Sequence, residues 1–159
     1  MAMTIEKFGI KLAAIYRPLN NHFLNILMER IRKKYICKHQ VKKGIGGLRE
    51  IVKLNRIGFS TALMIDQRVS QGIKSNFFNQ PAFTTTIPAQ LVKKYNYPIV
   101  PLFIERFEGT KFKIKIQKPI YFSKKESEKE ITEKLNIMLE KMILIKPGQW
   151  IWSHNRWKK

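Results

Sequence analysis

The chain has 159 residues, of which 44% are hydrophobic and 26% charged. This composition is typical of a globular protein and excludes collagen-like and wholly disordered chains, so we predict one domain over residues 1–159. Lysine and arginine outnumber aspartate and glutamate by 31 to 11, and the resulting net charge of +20 favours nucleic acid, anionic lipid or an acidic protein as partner.

In the first half of the chain, short apolar runs alternate with amphipathic segments. They predict a strand over residues 10–16, a helix capped by Asn20 or Asn21, a short strand over 35–37, a glycine-rich turn over 44–47 leading into a helix, and a strand over 59–66. The first helix is expected to carry its apolar residues on one face, which is made of Phe23, Leu24, Leu27, Met28 and Ile31.

The second half is predicted to contain two helices and several strands. The elements are a polar loop over residues 67–81, a helix over 86–94, strands over 98–105 and 111–116, a long helix, and a last strand over 150–152. Ser123 and Glu126 match a capping box at the start of the long helix. Its inward stripe is expected to be Ile131, Leu135, Met138, Leu139, Met142 and Ile143.

Alternation of strands and helices predicts an α/β fold with a mostly parallel central sheet flanked by helices. Ligands of such sheets bind beyond the carboxyl ends of the strands. Arg17, Asp66 and Arg106 are expected at or just after strand ends. They are therefore candidate site residues, although each could also be an ordinary surface charge.

Residues 30–56 hold ten of the cations and one acid, Glu50. This segment could face phosphates or an acidic carrier protein, or it could be a solvated surface. Residues 44–49 (GIGGLR) could bring backbone N–H groups and Arg49 to an anion at a helix start. The spacing matches neither a Walker loop nor a dinucleotide fingerprint, so a plain turn is equally compatible.

Few other residues suggest chemistry. Asp66 could orient a catalytic base or could simply cap a loop. The three histidines are scattered and Cys37 stands alone, so we expect no metal site and no cofactor, and a buried thiol. The tryptophans of residues 150–157 could pack on the core, with Arg156 stacked on a ring, or could meet a membrane interface, which stays open for Trp157.

Five segments nevertheless resemble one family when they are taken together in order. They are residues 16–21 (YRPLNN), 46–49 (GGLR), 64–67 (MIDQ), 77–85 (FFNQPAFTT) and 149–158 (QWIWSHNRWK). The chain resembles the late acyltransferases of lipid A biosynthesis, the lauroyl and myristoyl transferases of Gram-negative bacteria. The resemblance covers essentially the whole chain.

The resemblance implies an α/β enzyme, similar in fold to the glycerolipid acyltransferases, at the cytoplasmic face of the inner membrane. Such an enzyme moves a fatty acyl chain from acyl carrier protein to a hydroxyl group of a lipid A precursor in lipopolysaccharide biosynthesis. It implies acceptor-binding roles for Arg17, Asn20, Arg49 and Arg68, and a supporting role near the catalytic histidine for Asp66. The expected partners are acyl carrier protein, a phosphorylated lipid A precursor and the anionic membrane surface, without nucleic acid.

The family's His-x4-Asp/Glu box is not found in this chain. His22, His39 and His154 are followed five positions later by Leu27, Gly44 and Lys159. We therefore expect a chain truncated at its N-terminus, with the box and a membrane anchor upstream of Met1. The alternatives are an inactive fragment that binds anionic lipid and a basic nucleic-acid-binding domain, for which no helix-turn-helix or zinc-finger pattern is present.

Overall fold

A computed structural model of the chain describes residues 2–70 and 72–158, with Ile45 described by its backbone alone. The chain divides into two compact units, Met1–Leu63 and Met64–Lys159. The assignment of residues 1–159 to a single domain stays a prediction.

The first unit is a parallel sheet with helices between its strands. Its elements are α1 (Ala2–Lys7), β1 (Leu12–Tyr16), α2 (His22–Tyr35), β2 (His39–Lys42), α3 (Ile45–Arg56) and β3 (Ser60–Ala62). The strand order is β2-β1-β3, and β1 runs parallel to both neighbours. The predicted α/β class, with a parallel sheet flanked by helices, is confirmed.

Apolar side chains of the strands and of α3 form the core of this unit. Its fully buried members are Leu12, Ala13, Cys37, Val41 and Ile51. The prediction that Cys37 is buried is confirmed, and its thiol donates to the Leu12 carbonyl at 3.1 Å. Burial raises the pKa of this thiol, which makes it a poor nucleophile at neutral pH.

The second unit contains two antiparallel hairpins and two helices. Its elements are β4 (Ile73–Phe77), β5 (Gln80–Thr84), α4 (Ile87–Tyr95), β6 (Leu102–Phe107), β7 (Lys111–Ile116) and α5 (Glu128–Ile145). β4 pairs with β5 and β6 with β7, both antiparallel. The predicted stripe of α5 faces the core: Ile131 and Leu135 pack with Ala89 and Val92 of α4, while Ile143 packs under the β4–β5 hairpin.

The β4–β5 hairpin corrects the loop predicted for residues 67–81, of which Gln71 lies outside the described residues. The three central residues of β4 (IKSNF) are all polar, so neither an apolar run nor an alternation of apolar and polar residues marked it as a strand. Phe78 and Asn79 form its two-residue turn with φ of 50° and 58°, the left-handed values of a type I′ turn. Asn79 is a usual residue for this turn and Phe78 is not, which weakened the turn signal.

Four other predicted boundaries are wrong. The segment predicted as a strand over 35–37 is instead the end of α2 and its C-cap. The strand predicted over 59–66 is shortened to β3, and the strand predicted over 98–105 begins only at Leu102, after Pro101. Residues 150–152 are not a strand, because 3-10 turns run over Pro147–Gln149 and Trp152–His154. Pro147 and Gly148 favour such tight turns over an extended chain.

The helix starts also differ in detail. Ser127 and Glu130 form the capping box of α5, one turn after the predicted pair, while Ser123 and Glu126 form a turn before it. Two successive S-x-x-E patterns made this choice ambiguous in the sequence. For α2 the cap is Asn21, whose side chain accepts from the Leu24 N–H at 3.1 Å.

Two glycines of the predicted turn, Gly46 and Gly47, belong to α3, which begins at Ile45 after its N-cap Gly44. Of Gly46 and Gly47, only one has a packing reason to be glycine. A Cβ on Gly47 would collide with the Lys42 carbonyl oxygen at the end of β2, whereas a Cβ on Gly46 would meet nothing within 4 Å. Gly47 therefore lets the start of α3 lie directly against the sheet.

We expect Gly47→Ala to lower the free energy of unfolding by more than about 1 kcal/mol, because the new methyl group forces α3 away from β2. The matched control Gly46→Ala should be neutral or stabilising by about 0.5 kcal/mol. Urea unfolding followed by circular dichroism measures both, and equal effects of the two changes would contradict this account.

Candidate functional site

Three predicted site residues lie in the first unit, and Arg17 lies at the carboxyl edge of its sheet. Arg17 follows the last residue of β1, and the Lys43 N–H donates to the Tyr16 carbonyl at 2.9 Å. The ends of β1 and β2 are therefore adjacent, and α3 starts two residues later. Arg17, Asn20 and Arg49 are all exposed, and Arg49 lies near the N-terminal end of α3.

The loop that carries Arg17 is held by α2. The Asn25 side chain is buried; its Oδ1 accepts from the Leu19 N–H at 2.9 Å, and its Nδ2 donates to Glu29 Oε1 at 2.8 Å. Tyr16 donates its hydroxyl to the same carboxylate at 2.5 Å. The backbone on both sides of Arg17 is thus fixed while its side chain stays in solvent.

Glu29 is the charged centre of this network. The Tyr16 hydroxyl, the Asn25 amide and Lys42, whose Nζ lies 3.4 Å away, lower the pKa of Glu29 to about 2. Burial, followed by the bond to Glu29, raises the pKa of Tyr16 to about 12. The Arg32 guanidinium lies over the Tyr16 ring at 5.0 Å. Glu29 therefore stays ionised and Tyr16 stays neutral over a wide pH range.

In the second unit, the motif segments 77–85 and 149–158 contact each other through Arg156. Its guanidinium is 1% exposed and lies 5.3 Å from the centre of the Phe77 ring. It donates to the Phe83 carbonyl and, at 2.9 Å, to the Thr84 hydroxyl. The predicted stacking of Arg156 on a ring is confirmed. The guanidinium fixes the final segment against β5.

Asn136 of α5 joins the same buried group from the other side. Its Nδ2 donates to the Ser75 hydroxyl at 3.1 Å, the Asn76 carbonyl at 3.0 Å and the Thr84 hydroxyl at 3.2 Å. A helix, a hairpin and the final segment therefore meet at Thr84. Sequence reasoning missed Asn136 and Thr84, because nothing local distinguishes a buried amide or hydroxyl from a surface one.

The tryptophans enclose this region. Trp150 and Trp157 pack on Phe77, and the Trp157 indole N–H donates to the Phe77 carbonyl at 2.9 Å. Trp152 contacts Phe78 and remains about half exposed. Trp157 is thus partly buried against the hairpin, and Trp152 is the tryptophan most available to a partner.

Asp66 and Arg68 also lie in this unit, beside the final segment. Asp66 is half-buried and acts electrostatically on Arg156, whose pKa is lowered by burial and raised by this carboxylate. The Arg68 N–H donates to His154 Nε2 at 3.1 Å, and Arg68 Nε donates to the Lys158 carbonyl at 2.8 Å. The unit therefore brings Asp66, Arg68, His154 and Arg156 into one region.

Arg106 does not belong to this group. It lies within β6 rather than after a strand end, its guanidinium stacks over Phe112 at 5.2 Å, and its backbone bonds to Gln149. The expected position of Arg106 was wrong because the strand starts four residues later than the pattern indicated and extends past it. The roles of Arg17, Asn20, Arg49, Asp66 and Arg68 stay predictions.

Beyond these side chains, few features of the described residues could form a binding site. A shallow groove of about 290 Å³ runs beside α5, and none of the predicted site residues lines it. Within residues 2–70 and 72–158, no group of three or more histidine, cysteine or carboxylate side chains could hold a metal ion. The helices of these same ranges include none that is long and apolar enough to cross a membrane.

Comparison with known proteins gives one family. The whole chain, residues 1–159, matches the family model described as bacterial lipid A biosynthesis acyltransferase. No curated protein matches the chain significantly.

We expect Glu29→Gln to weaken the pH dependence of the free energy of unfolding. The folded pKa of about 2 lies below the ordinary value of 4.5, so Glu29 stabilises the fold fully above pH 4.5 and progressively less as the pH falls towards 2. Urea unfolding between these limits should therefore give a shallower pH slope for the variant than for the unchanged chain.

The control for this measurement is Glu133→Gln, because that carboxylate lies 4.0 Å from Lys129 Nζ on an exposed helix surface. Its pH slope should equal that of the unchanged chain. An unaltered slope for Glu29→Gln would show that the network around Tyr16 does not hold in solution.

We also expect Arg156→Met to lower the free energy of unfolding by about 2–4 kcal/mol. The change removes the buried guanidinium that donates to the Phe83 carbonyl, and it leaves the Thr84 hydroxyl with the Asn136 amide as its donor. Arg106→Met removes an exposed guanidinium that also stacks on a ring, and should cost less than about 1 kcal/mol. Similar losses for both variants would refute the buried role of Arg156.

Proposed function

The chain belongs to the bacterial lipid A biosynthesis acyltransferase family, and from this we propose that it contributes the acceptor-binding part of an acyl transfer. The proposed reaction moves a fatty acyl chain from acyl carrier protein to a hydroxyl group of a phosphorylated lipid A precursor. The site of the reaction is the cytoplasmic face of the bacterial inner membrane. The family match supports the class of enzyme, and the donor, acceptor hydroxyl and location are our assignment.

One observation supports the acceptor site most directly. Arg17 is exposed at the carboxyl edge of a parallel sheet, on a loop that buried Asn25 holds in place. A guanidinium that is fixed at its backbone and free at its tip suits a phosphate, which accepts two parallel hydrogen bonds from it. Arg49 and Asn20 are the further ligands that we assign to phosphate or sugar groups of the acceptor.

The start of α3 adds a second source of donors at this edge. Gly44 is its N-cap and provides no side chain, so the first N–H groups of the helix have no capping side-chain acceptor. A phosphate near these groups is favoured by the helix dipole as well as by Arg17. The exposed Lys42 and Lys43 raise the local positive potential further.

The chemistry requires more than acceptor binding. The acceptor hydroxyl must lose its proton and attack the thioester carbonyl, and hydrogen-bond donors must stabilise the oxyanion that forms. The carbon–sulfur bond then breaks, and the carrier thiol leaves and takes up a proton. His154 is badly placed as the base, because its Nε2 lone pair already accepts the Arg68 N–H. We therefore assign the described residues to binding, with Asp66 as a supporting acid that interacts electrostatically with Arg156.

The partners follow from charge. Acyl carrier protein, a phosphorylated glycolipid and the inner leaflet are all anionic, and each is attracted to the cationic segment 30–56. A chain that binds anionic lipid without transferring an acyl group is the second candidate, since none of its histidines is followed by a carboxylate five positions later.

Binding of a fluorescent phosphorylated lipid A precursor in detergent tests the acceptor site. We expect Arg17→Ala and Arg49→Ala each to weaken binding by about tenfold, or about 1.4 kcal/mol, because a charge-assisted hydrogen bond is lost. Arg56→Ala is the matched control, because Arg56 is exposed at the opposite end of the same helix. Its effect should be under about twofold.

Equal losses in all three variants would reduce the site to nonspecific charge, and undiminished binding of a dephosphorylated precursor would exclude a phosphate site. Transfer is followed separately by mass spectrometry with a thioester of acyl carrier protein. In a chain that also carries the family's His-x4-Asp/Glu box, Asp66→Ala should lower the rate of transfer by at least about tenfold without changing acceptor affinity. Acceptor binding with no transfer by that longer chain would favour the second candidate.

A further inference from the structure

Helix α2 has its polar side towards the sheet and its apolar side towards solvent. Asn25, Glu29 and Arg32 all contact the end of β1 or the loop that follows it. Four of the residues predicted on one apolar face are exposed: Phe23, Leu24, Leu27 and Ile31. Phe23 is 84% exposed and Leu27 is 53% exposed.

These four side chains form one continuous face rather than scattered contacts with water. Positions 23, 27 and 31 are four residues apart, and position 24 is next to them, so all four lie on the same side of the helix. Single exposed leucines are common on protein surfaces, but a contiguous stripe of large apolar groups indicates an interaction site. We call this stripe the α2 face.

Cations border the α2 face. Arg30 and Lys34 follow Phe23 by seven and eleven positions, spacings that return both to its side of the helix. The helix has one acid, Glu29, which lies on the opposite side and is bonded to Tyr16 and Lys42. No carboxylate of α2 therefore offsets the positive charge beside the α2 face.

We propose that the α2 face docks on an anionic lipid bilayer, with its apolar side chains below the headgroups and Arg30 and Lys34 at the phosphates. An apolar stripe bordered by long cationic side chains is the arrangement by which helices lie in a bilayer interface. The inference deepens the proposed function, on which it rests for the presence of a bilayer-held acceptor. It assigns the membrane contact to one helix face.

A second copy of the chain is a less suitable occupant. Two α2 faces packed against each other would place Arg30 and Lys34 of both copies in or beside the apolar contact, and α2 provides no acid on that side to pair with them. Lipid phosphates supply the missing negative charge.

Vesicle flotation of the full 159-residue chain tests the proposal. The probes are vesicles of phosphatidylcholine alone and vesicles that also contain phosphatidylglycerol. We compare the double variant Phe23→Gln/Leu27→Gln with the matched control Phe112→Gln/Ile116→Gln, which removes an equally exposed apolar pair from β7 (56% and 62% exposed). Because all four positions are exposed, circular dichroism should show both variants folded.

A net charge of +20 alone attracts anionic vesicles, so binding is also measured at about 1 M salt, where the Debye length falls to about 3 Å. The unchanged chain and the β7 control should float with anionic vesicles in both conditions. The α2 variant should lose at least about tenfold of its partitioning at high salt, where apolar insertion dominates.

Three results would overturn the proposal: no flotation of the unchanged chain with anionic vesicles, equal flotation of the two variants, or a dimer by light scattering that the α2 variant alone makes monomeric. Binding of the precursor in detergent separates this proposal from the acceptor site. The α2 variant should keep that binding and Arg17→Ala should lose it, so either assignment can fail while the other holds.

Discussion

Charged groups that leave water must find partners, and this constraint accounts for the arrangement of both units. Arg156 is buried under Phe77 and is bonded to β5 through the Phe83 carbonyl and the Thr84 hydroxyl. Glu29 of the first unit is partly exposed and joins α2 to the end of β1 through the Tyr16 hydroxyl. A buried charge with one partner removed costs several times more than an exposed pair contributes, so the contacts of Arg156 are the costlier of the two to lose. Both groups favour a specific pairing of segments.

The motif residues divide into two kinds once their contacts are known. Arg156, Trp157 and Thr84 have buried partners within the second unit, and their hydrogen bonds hold the hairpin in place. Arg17, Asn20 and Arg49 are exposed at a sheet edge or on a helix start, with firmly held backbone beneath Arg17. Exposed polar side chains on a firmly held backbone, whose hydrogen-bonding groups the fold does not need for its own stability, are available to a ligand.

The charge of the chain and the orientation of α2 lead to the same kind of partner by different arguments. The net charge of +20 is a property of composition and attracts any polyanion. The α2 face adds apolar contact beside Arg30 and Lys34, which a nucleic acid would not use and a lipid bilayer would. For a family that acts in lipid A biosynthesis, the two features together support our proposal that the chain meets its substrate at a lipid surface.

The sequence alone determined the α/β class, the positions of α3, α4 and α5, the inward stripe of α5 and the family, because these depend on short-range periodicity and on motifs that can be read in order. The tertiary structure decided what local patterns cannot contain. It showed that the mostly polar residues of β4 form a hairpin with β5, that Asn136 and Arg156 meet at Thr84 from positions far apart in the chain, and that α2 presents its apolar side to solvent. A helical period shows that a helix has two faces, but only the groups packed against it decide which face is covered.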